Sequence, residues 1–456
     1  MPSMTFSQLL HLSLPIDRIS PFIFFIYLIY NILFISYFIH TYRKKALFTL
    51  DLYLFAQPLW LPIGFMLPFI FSDLNGLPTA GHWDRIRTEL DHAFLLAVLG
   101  TAFAAGGFLL GKRLPLPLPG LTTTFRSLRR AWFTSGGVMA GTFLNVIFVV
   151  LFASLGFIAF NARATALENR QILPIFNFFY IFTGFITICT VTYYLTTRRK
   201  LALFCLVGLA FCGLFAGTRG PFLFQGMQAV VIYAIATRYK GLLFPVLIVP
   251  LLLVLAIYVG GFRYGNFGAP ALADIPLRLL YGNNFSDLRD FAWMISHWDG
   301  VLLWGKTLIA GFLTGLPGVG EFRSMYAWGN WSVYTALGFT SRVHPGLRGI
   351  AFSEWYFNFG LIGLCASGMF YGFLVARLSA FSEQAIATGN RQVAVLGTLA
   401  AFIYWMMVSN FIATASFFTL HILGATILVG LVVSVAIRKE TAGRMNGGVT
   451  ALRASG

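Results

Sequence analysis

The feature that most constrains this chain is a series of nearly uncharged apolar runs, each about the twenty residues that a helix needs to cross a hydrocarbon core. They fall near 21–41, 50–72, 92–111, 132–157, 172–195, 201–217, 221–237, 242–261, 349–375, 393–411 and 417–437. The expected fold is therefore an all-α, polytopic transmembrane helix bundle of about eleven spans (10–12), a single integral membrane domain over residues 1–456. Composition excludes a soluble alternative: 58% of the residues are hydrophobic, 10% are charged, and mean hydropathy is +0.79. A soluble protein of 456 residues could not hide that much apolar surface. Aromatic residues, 17% of the chain, suit lipid-facing and interfacial positions.

A net charge of +17 would point to nucleic acid in a soluble protein. Here the basic residues punctuate the apolar runs, so they report topology, and no nucleic-acid partner is expected. The first run lacks a basic segment before it and is followed at once by Arg43, Lys44 and Lys45. It is expected to be an uncleaved span with its N-terminus outside. Alternate connections then carry Lys112, Arg113, Arg126, Arg129 and Arg130; Arg198, Arg199 and Lys200; Arg238 and Lys240; Arg377 and Arg391. The tail 438–456, expected to be cytoplasmic, adds Arg438, Lys439, Arg444 and Arg453. These positions hold 19 of the 32 basic residues and six of the seven lysines, which sets the C-terminus inside. Cys189, Cys205, Cys212 and Cys365 all lie in apolar stretches without ligand spacing, as small core residues do.

The basic residues left on the outer side are twelve arginines and Lys306. Arg18, Arg85, Arg87, Arg163 and Arg170 are expected to pair with local acids such as Asp17, Asp84 and Glu168. The others gather around one long outer loop, 262–348, between the eighth and ninth runs. A loop of that size is usually functional. Its segment 302–315 reads as amphipathic or re-entrant, and Trp293, Trp298, Trp304, Trp328 and Trp331 suit a membrane surface. Arg219 stands in the tight turn Gly217-Thr218-Arg219-Gly220-Pro221, and Arg263 in Gly261-Phe262-Arg263-Tyr264-Gly265. Arg289 lies between Asp287 and Asp290, where a local ion pair competes with ligand binding. Arg342, His344 and Arg348 close the loop, and Glu354 is the one carboxylate at the start of the ninth run.

Guanidinium forks match phosphate and carboxylate groups in bidentate fashion, so outward-facing arginines point to an anionic, lipid-linked ligand such as a diphosphate. No carboxylate pair offers a metal site and no glycine-rich nucleotide loop is present, so neither metal nor cofactor is expected. A diphosphate is already a leaving group. A protein that binds it needs only to orient an acceptor hydroxyl and remove its proton.

The chain resembles the bacterial O-antigen and oligosaccharide repeat-unit polymerases (Wzy). The resemblance rests on Gly217-Thr218-Arg219-Gly220, Phe262-Arg263-Tyr264-Gly265, Asn284-Phe285-Ser286-Asp287 with Arg289, and Glu354 followed by Asn358-Phe359-Gly360-x-x-Gly363. It implies a metal- and nucleotide-independent glycosyltransferase of the lipid-dependent, multi-spanning (GT-C-like) type in the bacterial inner membrane. The growing glycan would leave its undecaprenyl diphosphate and join an incoming lipid-linked repeat unit at the periplasmic face. On that resemblance Arg219 and Arg289 hold the diphosphate with support from Arg263, and Glu354 or His344 takes the acceptor proton. Tyr264, Arg342 and Arg348 are further substrate contacts. Membrane lipid, a chain-length regulator and a flippase are the implied partners.

The related O-antigen ligases carry two arginines and a histidine in a comparable order, which Arg219, Arg289 and His344 match. The ligase pattern places a polar residue after its histidine, whereas Pro345 follows here and Glu354 opens the next helix. That departure favours polymerase over ligase. A transporter or flippase of lipid-linked oligosaccharide is the rival from another class. Internal repeats and matched broken helices would mark one, and no repeat is visible in the sequence.

Overall fold

The computed structural model describes residues 20–44, 48–55, 65–66, 83–157, 162, 165–166, 172–216, 223–241, 251, 254, 287–313, 320–337, 347, 349–413, 424, 426–427 and 430. Among them the chain is all-helical, without a strand. In chain order the helices are α1 (Pro21–Lys44), α2 (Leu50–Leu54), α3 (Trp83–Arg113), α4 (Leu121–Ser127), α5 (Ser135–Ser154), α6 (Leu173–Thr197), α7 (Lys200–Phe215) and α8 (Gln225–Ala236). There follow α9 (Asp287–His297), α10 (Lys306–Phe312), α11 (Gly320–Tyr326), α12 (Trp328–Leu337), α13 (Ser353–Ala387) and α14 (Arg391–Ala413). A π-helical turn, Leu128–Trp132, follows α4.

Six of these helices, α1, α3, α5, α6, α13 and α14, contain stretches long and apolar enough to cross a membrane. α7 and α8 are apolar but shorter. The protein is thus a helical membrane protein. The expected spans near 50–72, 242–261 and 417–437 lie largely outside the described residues.

The chain divides into two compact units. The first comprises Met1–Pro117, Leu272–Ala380 and Val408–Phe418. Its frame is the pairing of α3 with α13, and glycine makes that pairing possible. A Cβ at Gly107 would run into the backbone carbonyl of Met369, one at Gly372 into that of Ala104, and one at Gly368 into that of Gly100. Within a bilayer there is little hydrophobic drive between helices, so close backbone approach through small residues supplies the attraction. Tyr371 is buried in the same unit and donates its hydroxyl to the Leu54 carbonyl at 2.6 Å, which fixes α2. α1 touches α3 through Tyr27 and Phe94, 6.1 Å between rings. Only 6% of its span is buried, and Phe22, Phe25, Ile32 and Leu33 present an apolar face suited to lipid.

The second unit comprises Leu118–Ala271, Phe381–Met407 and Thr419–Gly456. α6 is its central helix, with 67% of its span buried between α5, α7 and α8. Asn145 of α5 is fully buried, and its amide is satisfied by the Thr183 hydroxyl at 2.6 Å and the Gly141 carbonyl at 2.8 Å. Below this, Phe152, Phe176 and Phe179 form an aromatic core. The turn from α13 to α14 uses Gly389 at φ 69° to reverse the chain. Asn390 then caps α14, its side-chain oxygen accepting from the amides of Gln392 and Val393.

Several of the basic residues find partners in this unit. Arg199 donates to Ser135 at 2.7 Å, Arg238 pairs with Glu383 at 3.2 Å, and Arg391 donates to the Leu195 carbonyl and lies over Tyr233.

Candidate functional site

The site begins where α13 begins. Gly349 has φ 66°, and a Cβ there would meet Ser353 and Met294, so the chain enters the helix through a turn that only glycine fits. Ser353, Glu354 and Asn358 follow, all at zero exposure. At Gly360 the helix breaks, with φ 63° and ψ −150°, a conformation essentially restricted to glycine. Three residues on, a Cβ at Gly363 would run into the Trp355 carbonyl. The spacing Gly360-x-x-Gly363 thus has a physical reason: one glycine makes the break and the other lets the chain fold close after it.

A break inside a span frees backbone carbonyls that lipid cannot satisfy. Here the segment before α10 satisfies them. Leu303 N–H donates to the Phe357 carbonyl at 3.1 Å and Trp304 N–H to the Asn358 carbonyl at 3.0 Å. This segment was expected to be amphipathic or re-entrant, and it docks against the interrupted span. Thr307, from the first turn of α10, is also fully buried and accepts from Asn358 Nδ2 at 2.6 Å. The other hydrogen of that amide goes to the Glu354 backbone carbonyl at 2.7 Å. The Thr307 hydroxyl lies beside the Glu354 carboxyl, and among the described residues neither carboxyl oxygen has a partner in hydrogen-bond geometry. Asn358 Oδ1 is likewise without one.

Around this polar group the aromatic residues of the loop close a shell. Phe357 is 5.7 Å from Phe291, 5.0 Å from Trp298 and 5.0 Å from Trp331, ring centre to ring centre. Trp328 and Trp331 are buried in this packing, Trp293 is buried too, and of the loop tryptophans only Trp304 is largely exposed, at 71%. The expectation that these five tryptophans lie on a membrane surface therefore needs correcting for three of them. Trp328 and Trp331 wall in the start of α13.

α9 carries Arg289 into the same unit, and Phe291 packs edge-on against Tyr356 and Phe357. The helices bearing Arg289 and Glu354 are thereby packed together, although 65 positions separate the two residues in sequence. The Arg289 side chain is 19% exposed, and its Nη2 contacts Asp290 Oδ1 at 3.3 Å. The local ion pair anticipated from the sequence is present, with Asp290 as a partner. Arg219, Arg263, Tyr264, Arg342, His344 and Arg348 lie outside the described residues.

Two site residues were given no role from the sequence. Asn358 was within reach, because it sits one helical turn beyond Glu354 and shares its face. Thr307 was not, because its partner lies 51 positions away across the break.

The break gives a direct prediction. Gly360→Ala should lose ~1–3 kcal/mol of stability, the cost of holding an L-residue in that conformation. Thermal melting of the purified protein in detergent reads the loss, and a variant that melts with the wild type would contradict the assigned backbone.

Compared with protein-family models, curated proteins and solved structures, the chain matches none.

Proposed function

We propose that this protein polymerises undecaprenyl-diphosphate-linked oligosaccharide repeat units, of an O-antigen or related surface polysaccharide, at the periplasmic face of a bacterial inner membrane. Eleven spans with the N-terminus outside and the C-terminus inside put the 262–348 loop on that face. The acceptor hydroxyl oxygen attacks the anomeric carbon of the donor glycan, and the bond from that carbon to the diphosphate breaks. The lipid diphosphate leaves with the electron pair, and the acceptor proton passes to a base. Arg289, with Arg219 and Arg263, neutralises the diphosphate, and Glu354 or His344 is the base. Tyr264, Arg342 and Arg348 are further contacts to the substrate. A flippase supplies the repeat unit, and a chain-length regulator acts alongside.

The observation that supports this reading is the packing of the Arg289 helix on the start of the Glu354 helix through Phe291, Tyr356 and Phe357. Two residues assigned to one site on sequence grounds alone have their helices side by side. The charge itself is delivered by a fork, so Arg289→Lys keeps the charge and loses bidentate geometry. In cells carrying that exchange the surface glycan ladder should shorten, and an unchanged ladder would contradict the role.

A second reading draws on the Gly360 break. Transporters commonly place substrate or ion sites at interrupted spans, and a buried carboxylate beside the interruption suits an ion-coupled carrier of lipid-linked oligosaccharide. The two readings part in a deletion strain. Loss of a polymerase leaves single repeat units, whereas loss of a flippase, or of a ligase, removes every repeat.

A further inference from the structure

The Gly360 break has a chemistry that glycan polymerisation does not require. Three side chains from two elements converge at zero exposure: Glu354 and Asn358 on one face of α13, and Thr307 from α10. Asn358 Nδ2 uses both hydrogens, on Thr307 Oγ1 and on the Glu354 carbonyl, which leaves its Oδ1 as an acceptor without a donor. Both Glu354 carboxyl oxygens are in the same condition. Buried acceptors in a native protein are almost always satisfied, so a cluster of them calls for a bound group. Among the described residues no donor meets this need, because Asn358 has spent its own and neither Glu354 carboxyl oxygen has a partner in hydrogen-bond geometry.

We propose that Glu354, Asn358 and Thr307 form a buried binding site for a monovalent hard cation, Na+. The donor set is all oxygen: two carboxylate, one amide and one hydroxyl. Hard cations take such ligands, whereas imidazole and thiolate sites suit softer metals. Charge selects the monovalent ion. The cluster of Glu354, Asn358 and Thr307 brings a single carboxylate, that of Glu354. A single carboxylate neutralises one positive charge, and a divalent ion would leave an excess charge in a medium that solvates it poorly. Interrupted spans are also where membrane proteins commonly coordinate Na+. Bound there, the ion ties the start of α13 to α10 and holds the docked segment in place.

The inference stands independently of the proposed function, but it narrows it. A carboxylate engaged with Na+ is not free to accept the acceptor proton, so His344 becomes the base.

The test needs no glycan. Purified protein in lipid nanodiscs is titrated with radioactive ²²Na+, with choline chloride holding ionic strength constant. Saturable uptake of one ion per chain is expected, displaced by unlabelled Na+ and not by choline. Glu354→Gln and Thr307→Val should each weaken binding at least tenfold. Tyr371→Phe, which removes a hydroxyl elsewhere in the same unit, should retain it. Because an ion that binds only the folded state stabilises it, Na+ should also raise the melting temperature of the wild type above that in choline. Absence of saturable wild-type binding would overturn the proposal even if Glu354→Gln fails to fold. Equal affinity in Thr307→Val and wild type would overturn it too. Because neither readout contains substrate, failure here leaves the glycan-transfer reading to its own tests.

Discussion

Gly372→Ala is expected to lower the yield of folded protein sharply, while Gly226→Ala is expected to match or exceed the wild type. Both glycines stand in helices, where alanine is intrinsically better by about 0.5–1 kcal/mol. Propensity alone therefore predicts a gain at both positions. Contact reverses the sign at one of them. A Cβ at 372 runs into the Ala104 carbonyl, whereas one at 226 has nothing within 4 Å. The obstacle at 372 is backbone and cannot rotate away. It also cannot retreat cheaply, because Gly107 against Met369 and Gly368 against Gly100 hold the same two helices at the same separation. Overpacking of this kind costs ~1–3 kcal/mol or more, a large share of the 5–15 kcal/mol typical of a folded domain. Monodisperse protein recovered from the membrane, with melting temperature, checks the pair. Similar behaviour of the two variants would contradict the close pairing of α3 and α13.

Replacing His344 by glutamine should reduce glycan elongation by ~10²–10⁴, the usual contribution of a positioned general base. An acceptor hydroxyl is a poor nucleophile until its proton has somewhere to go, and a glutamine side chain does not accept it. In the proposed mechanism the diphosphate is held by other residues, so the donor should still bind, and the loss should appear in turnover more than in apparent donor affinity. Elongation measured over a range of donor concentrations separates the two. A variant that keeps wild-type turnover would return the base role to Glu354 and count against an ion held there.

Much of the membrane architecture was legible because hydropathy is a one-dimensional signal. The runs near 21–41, 92–111, 132–157, 172–195 and 393–411 correspond to α1, α3, α5, α6 and α14. Those near 201–217 and 221–237 form shorter helices, α7 of 16 residues and α8 of 12. The run near 349–375 conceals more, since α13 extends to Ala387 and is interrupted at Gly360. Apolar residues continue on both sides of that break, so hydropathy passes straight over it. Only the φ of one glycine records it.

The site was legible in a similar, partial way. Glu354 stood out as a lone carboxylate in an apolar run, and Arg289 as an outer arginine beside aspartates. What the sequence could not convey is the buried environment of Glu354. Thr307 reaches it only because the chain from Leu303 to Trp304 docks on carbonyls that the break exposes. The loop tryptophans misled for the same reason. Trp328 and Trp331 are aromatic residues in a loop expected on the outer side, as interfacial anchors are, yet they pack around Phe357.

The most direct test of glycan polymerisation is reconstitution. Purified protein in liposomes receives undecaprenyl-diphosphate-linked repeat units, with no nucleotide sugar present, and the products are resolved by length. The account predicts a ladder of lipid-linked oligomers longer than one repeat, with undecaprenyl diphosphate released for each bond formed. Repeat units that remain single while active protein is present would contradict it.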